Sequence, residues 1–131
     1  MIKDPMSALE QRVHDAIAAV QPHVTTNYPP QIFADGTHID LPLTVYSVEV
    51  TTEGVRARSE TRVRCVVNVD TFGRSRKETG EAASKIRAAM LTVMSVCDMD
   101  RYFDAPQAGI VRRAQRYAGV MDLYTGVVYA E

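Results

Sequence analysis

Between Thr61 and Leu91 the spacing of apolar positions changes once, and the change marks a strand that runs through a short turn into a helix. Val63, Cys65, Val67 and Val69 alternate with Arg62, Arg64, Val66, Asn68 and Asp70. Side chains on a strand alternate sides, so these are two opposite faces. Ser75 and Glu78 then form an S-x-x-E capping box. Ala82, Ala83, Ile86, Ala89, Met90, Val93, Met94 and Cys97 hold a helical period, which predicts a helix from about Arg76 to Val96. The apolar strand face and the helix stripe are expected to bury each other, leaving an Arg-lined strand face outward.

The same logic reads the rest of the chain. Leu9, Val13, Ala16, Ile17 and Val20 trace an apolar stripe over 7–21, with Ser7 and Glu10 as a capping box and Pro22 as the stop. His14 lies beside that stripe and reads as a boundary residue. Gln21 to Asp40, rich in Pro, Thr, Asn and Gly, reads as an ordered crossing loop, with Gln31-Ile32-Phe33 as a possible short strand. Leu41 to Val50 reads as a strand whose apolar phase switches midway, which suggests a bulge or bend. Thr51 to Ala57 is the hairpin connection to the next strand, longer than a tight turn requires.

Asp98 to Gln107 reads as a polar connection. Gly109 to Tyr129 reads as a long strand, a turn at Tyr124-Thr125-Gly126 and a short last strand, Val127-Val128-Tyr129. The order helix, strand, strand, helix, strand, strand predicts an α+β fold. Its expected form is a two-layer α/β sandwich, with a mainly antiparallel or mixed sheet of about four strands and two helices on one face. The uncovered face is expected to carry Arg62, Arg64, Asn68 and one of Arg112 or Arg113.

Length and composition add limits. A chain of 131 residues, 46% apolar and 24% charged, fits one domain spanning 1–131. No apolar run approaches the ~20 residues that a membrane span needs. No apolar stretch follows Met1-Ile2-Lys3-Asp4-Pro5, so no secretory signal is read and the cytosol is the expected compartment. Cys65 and Cys97 read as small buried hydrophobes, with a Cys65–Cys97 disulfide as the alternative.

Charge is where the chain becomes unusual. The formal net charge is −1, but residues 1–53 hold two basic against seven acidic residues. Residues 54–77 reverse this, with seven basic against two acidic. Twelve of the fifteen basic residues are Arg, whose fork is weakly hydrated and pairs bidentately, a bias toward interfaces. Shared internal ion pairs are one outcome of this segregation. Head-to-tail packing of identical copies, with Arg56, Arg58, Arg62 and Arg64 meeting acids of a neighbour, is the other.

Enzyme motifs are absent: no G-x-G-x-x-G, Walker loop, G-x-S-x-G, H-E-x-x-H or Cys–His pairing occurs. No catalytic, metal-ligating or cofactor-binding residue is assigned, and no cofactor is expected. Asp98, Asp100 and Asp104 lack the glycine and closing glutamate of a calcium loop. His14, His23 and His38 lie at no ligand spacing from either thiol. Arg74, Arg76 and Lys77 stand at a helix start, where amides and dipole favour an anion, so a small nucleic-acid or anion-binding module is a second functional class. Against it stand the pI of about 6.3 and the lack of interleaved aromatics.

Four stretches in order carry a resemblance: Leu41-Pro42-Leu43-Thr44-Val45-Tyr46, the alternating Arg62–Asp70 strand, Glu81 to Met90, and Arg112 to Asp122 with Tyr124-Thr125-Gly126. Together they resemble the tail terminator (tail completion) proteins of tailed bacteriophages with long tails, and cover nearly the whole chain. The resemblance implies an α/β subunit that forms a hexameric ring at the head-proximal end of the tail tube. Such a ring ends tube polymerisation and offers a surface to the head–tail connector or stopper protein, while DNA passes through its lumen without specific recognition. The partners implied are further copies of the chain, the tube protein and the connector, in a virion assembled in the host cytoplasm. Other head–tail joining and minor tail or neck proteins share this size and composition. The long Gln21–Asp40 crossing departs from the family pattern.

Overall fold

The computed structural model describes residues 3–26, 41–51, 61–103 and 109–130. The expected strand at Gln31–Phe33, the hairpin connection after Thr51, and Arg56 and Arg58 all lie outside the described residues. Among the described residues two helices and six strands follow in the order α1 (Pro5–Ala18), β1 (Val24–Thr25), β2 (Leu43–Thr51), β3 (Arg62–Gly73), α2 (Arg76–Met90), β4 (Val96–Phe103), β5 (Val111–Asp122) and β6 (Val128–Tyr129). The fold is α+β, with one mixed, mostly antiparallel sheet ordered β1-β2-β3-β5-β4 and β6 continuing along β5. Among the described residues β1 and β2 run parallel and the other pairs antiparallel.

Both helices cover the same side of the sheet. Val63, Cys65, Val67 and Val69 of β3 and Tyr117 and Met121 of β5 form one core with Leu9, Val13 and Ile17 of α1 and Ile86 and Met90 of α2. The predicted burial of strand face against helix stripe is therefore the core of the molecule. At the end of α1, Gln21 Nε2 donates to Thr44 Oγ1 at 3.4 Å, and Thr44 lies 3.5 Å from Thr71, close to where α2 begins. The two helices thus run antiparallel.

Helix starts and stops differ from the sequence expectation in instructive ways. Asp4, not Ser7, caps α1: it accepts from the Ser7 amide at 3.1 Å and the Ser7 hydroxyl at 2.7 Å. Asp is as good a cap as Ser, and Pro5 behind it suits the first helical position. Those bonds from Ser7, side chain before backbone, hold the Asp4 carboxyl below its ordinary range. Helix α1 closes at Ala18, with the amides of Val20 and Gln21 turning back to Ile17 O. Helix α2 ends at Met90 and not near Val96, because Thr92 binds back to Ala89 O through its hydroxyl at 2.6 Å and the chain then turns into β4.

That turn corrects a larger expectation: 96–103 is a strand and not a polar connection. Its alternation is broken by an irregularity between Cys97 and Met99, where Asp98 has no register partner. The bulge and two acids hid the period-two signal. Cys97 accordingly sits on β4, with β5 between it and Cys65 of β3. Two strand spacings, about 10 Å, exceed what a disulfide spans, and both thiols are free.

Strand β2 has no bulge, since its pairing with β3 runs unbroken from Leu43↔Phe72 to Thr51↔Arg64. The phase switch has another cause: Leu43, Thr44, Val45 and Tyr46 are all buried, so the first half of β2 is covered on both faces. Leu43, Val45 and Phe72, joined by Leu41 and Ile110, form a second, smaller apolar cluster.

Gly119 marks where β6 lies close to β5. A Cβ there would stand 2.6 Å from Val128 Cγ1 and 2.8 Å from Tyr129 O, one a side chain and the other backbone. Gly119→Ala should therefore push β6 outward and cost about 1–3 kcal/mol, as other overpacking substitutions do. Denaturant unfolding checks this; an unchanged midpoint would show that β6 is free to shift.

Candidate assembly surfaces

The face of the sheet away from the helices is a grid read from the register. Arg62 pairs with Asp122, Arg64 with Val120 and Thr51, Val66 with Ala118 and Glu49, and Asn68 with Arg116 and Ser47. Arg62 is exposed and Arg64 half-buried. The strand period that placed both arginines on this face is thus matched by the register. Nearer the small apolar cluster, Arg112 Nε donates to Asp70 Oδ1 at 3.0 Å. The guanidinium of Arg101 lies 4.4 Å, and that of Arg112 5.3 Å, from the centre of the Phe103 ring.

Of the two adjacent arginines at the start of β5, Arg112 faces outward and Arg113 turns under α2. There Arg113 joins a polar cluster that the sequence did not reveal. The Asp100 carboxylate accepts from Arg113 Nε at 2.7 Å and Nη2 at 3.1 Å, from Arg87 Nη1 at 2.8 Å, and from Gln115 Nε2 at 3.3 Å. Gln115 also donates to Ala83 O at 3.1 Å and accepts from the Tyr117 hydroxyl at 3.2 Å. Burial pushes the Asp100 carboxyl up, but the donors from Arg113, Gln115 and Arg87 together outweigh it, and the net shift is downward. Arg113 is raised in return, chiefly by its bonds to Asp100.

The start of α2 tells against a simple anion site. Ser75 Oγ accepts from the Glu78 amide at 3.1 Å, and Glu78 Oε2 accepts from the Arg74 amide at 2.6 Å. A carboxylate of the chain itself thus occupies the position an external anion would take. Arg74, Arg76 and Lys77 are exposed around it, and the Arg76 guanidinium stacks on Tyr102 at 4.3 Å. Arg101, Tyr102 and Phe103 were missed as surface residues because their segment read as a loop. The Tyr-Phe pair, of high strand propensity, was the available signal.

His14 is the boundary residue expected of it, its Nδ1 3.2 Å from the Tyr46 hydroxyl. Burial lifts the Cys65 thiol to about 11, against smaller opposing effects of a backbone bond at Met121 and the Arg12 charge. Among the described residues no group of three His, Cys, Asp or Glu side chains could hold a metal ion, and no helix is long and apolar enough to cross a membrane. No protein-family model and no curated protein matches the chain.

A group whose carboxyl is depressed in the fold stabilises it fully above the unfolded value, ordinarily 3.8. That stabilisation is lost as pH falls through the folded value. Asp100→Asn should therefore cost about 2 kcal/mol at neutral pH, because Arg113 keeps its burial and loses its counter-charge. The wild type should lose stability more steeply than the variant below about pH 4. Thermal melts across that range check both; parallel curves would show that Asp100 carries no share of the acid sensitivity.

Proposed function

We propose that this chain is a structural subunit of a tailed-phage virion that assembles with further copies into a ring, hexameric as in the family it resembles. The ring caps the head-proximal end of the tail tube, ends tube polymerisation and presents a surface to the connector, with DNA passing its lumen. In this reading the protein performs no catalysis, and it works in the virion after assembly in the host cytoplasm. The observation that carries it is a two-layer α+β subunit, both helices on one side, whose other side presents an arginine-bearing sheet face. Sheet faces of this kind recognise a partner by shape and charge and not by chemistry at one residue. Arg62 and Arg64 would meet acidic groups of the tube protein, the connector or a neighbouring copy. Another head–tail joining or minor tail protein is the nearest alternative. The nucleic-acid module built on Arg74, Arg76 and Lys77 is weakened by Glu78, which already fills the helix start.

Electron microscopy of the protein mixed with purified tails tests the reading directly. Density at one end of the tube is the expected result, and tails left bare at saturating protein would sink it. Arg62→Glu should reduce that capping while changing folding stability by no more than about 0.5 kcal/mol, since exposed charges contribute little to folding. Capping by the variant at wild-type level would show that Arg62 only meets water. Titration with duplex DNA at low and moderate salt addresses the alternative, because phosphate neutralisation makes affinity fall steeply with salt.

A further inference from the structure

Among the described residues the two ends of the strand order carry unpaired side chains of opposite charge. At one end lies β4, flanked by the start of α2. Here Arg76, Lys77 and Arg101 are exposed, and among the described residues no carboxylate lies within ion-pair distance of any of them. Arg76 and Arg101 line a shallow cleft of about 370 Å³ together with Tyr102 and Phe103. Both guanidiniums are stacked on these rings, at 4.3 and 4.4 Å, which fixes their position before any partner arrives and lowers the entropy lost on binding.

At the other end α1 lies over β1 and β2. Leu9, Val13 and Ile17 point into the core, so Glu10 and His14, one residue further round, fall on the flank toward β2. His14 meets Tyr46 there. Tyr46 is raised by burial first and then by the negative charges of Glu10 and Asp15. Asp15 is exposed and accepts from Gln11 Nε2 at 2.9 Å. Among the described residues no cation pairs with Glu10 or Asp15.

We infer that these two edges are the halves of one head-to-tail contact between copies of this chain, with Arg76 and Arg101 of one copy meeting Glu10 and Asp15 of the next. The inference rests on the ring reading above and assigns its subunit surface to the sheet edges, leaving the Arg62 and Arg64 face for another partner. A second copy is the occupant because the same chain supplies both unpaired sets at opposite ends. A nucleic acid would answer only the basic edge, and a net charge of −1 gives it no long-range attraction. The contact is heterologous, joining unlike patches, as a ring requires.

Charge exchange tests it. Sedimentation velocity of the wild type over a concentration series, in low salt and in about 0.15 M salt, should show salt-weakened self-association. The pair Arg76→Glu with Arg101→Glu, and separately Glu10→Lys with Asp15→Lys, should each weaken association at least tenfold. An equimolar mixture of the two variants should restore it, since each then offers a complementary edge to the other. The neutral pair Arg76→Gln with Arg101→Gln guards against a misfolded reversal, and thermal melts must match the wild type. Wild-type association that neither variant disturbs overturns the edge assignment and leaves the ring reading standing. Loss in both variants without recovery on mixing overturns the pairing. A wild type that stays monomeric at every concentration in low salt, and also leaves tube ends bare, overturns both.

Discussion

The carboxylate of Asp100 sits where β4, β5 and α2 meet, and the placement of the basic edge depends on it. Strand β4 contains no fully buried residue, so apolar burial holds it only weakly. What fixes it is its ladder to β5 and the four donors that converge on Asp100, drawn from Arg87 of α2 and from Arg113 and Gln115 of β5. With its side chain only 8% exposed, Asp100 is a charge that is tolerable because Arg87, Arg113 and Gln115 turn toward it. The arrangement also explains why Arg113 can pass beneath a helix. Its neighbour Arg112, outside, takes the weaker and more solvated bond to Asp70.

A second constraint is one-sided burial. Because α1 and α2 both lie on the same face, the opposite face carries the polar half of each strand, and its charges are set out by register. Among the described residues that face is apolar and buried near Leu43, Val45 and Phe72. The face is therefore graded, from the exposed Arg62 row, through Asn68 and Arg116, to the covered apolar cluster. A surface of this kind distinguishes partners by the pattern of charge across several strands.

What could be read from the chain divides along physical lines. The Arg62–Asp70 alternation, both described helices and the long strand β5 followed from periods that packing respects, and the structure has them. Strand β4 was hidden because a bulge at Asp98 breaks a period of two, while Met90, Val93, Met94 and Cys97 happen to fit a helical one. Two-residue β1 is too short for any period to declare it. The sides taken by Arg112 and Arg113 could not be told apart, since both are charged and only the register with Thr71 and Phe72 decides. Asp100 looked like one acid in an acidic loop, because its four donors lie 13 residues or more away in sequence.

Opposite charges at the two ends of a sheet have a consequence for assembly that no single residue carries. A contact between unlike edges repeats without limit unless the rotation from one copy to the next closes, so the angle between the edges decides between ring and filament. On the ring reading that angle would be set by the twist accumulated over β1-β2-β3-β5-β4, about 20–25° from strand to strand in ordinary sheets. Few soft degrees of freedom remain between the edges, because α1 and α2 are packed across the same core. Stiffness of the sheet would thus fix copy number, while the exposed ion pairs, weak individually and screened by salt, would set only how readily copies meet. On the ring reading the inner packing and the surface charge would thus have separate tasks: the core would determine the geometry of assembly and the edges how strongly copies attract one another.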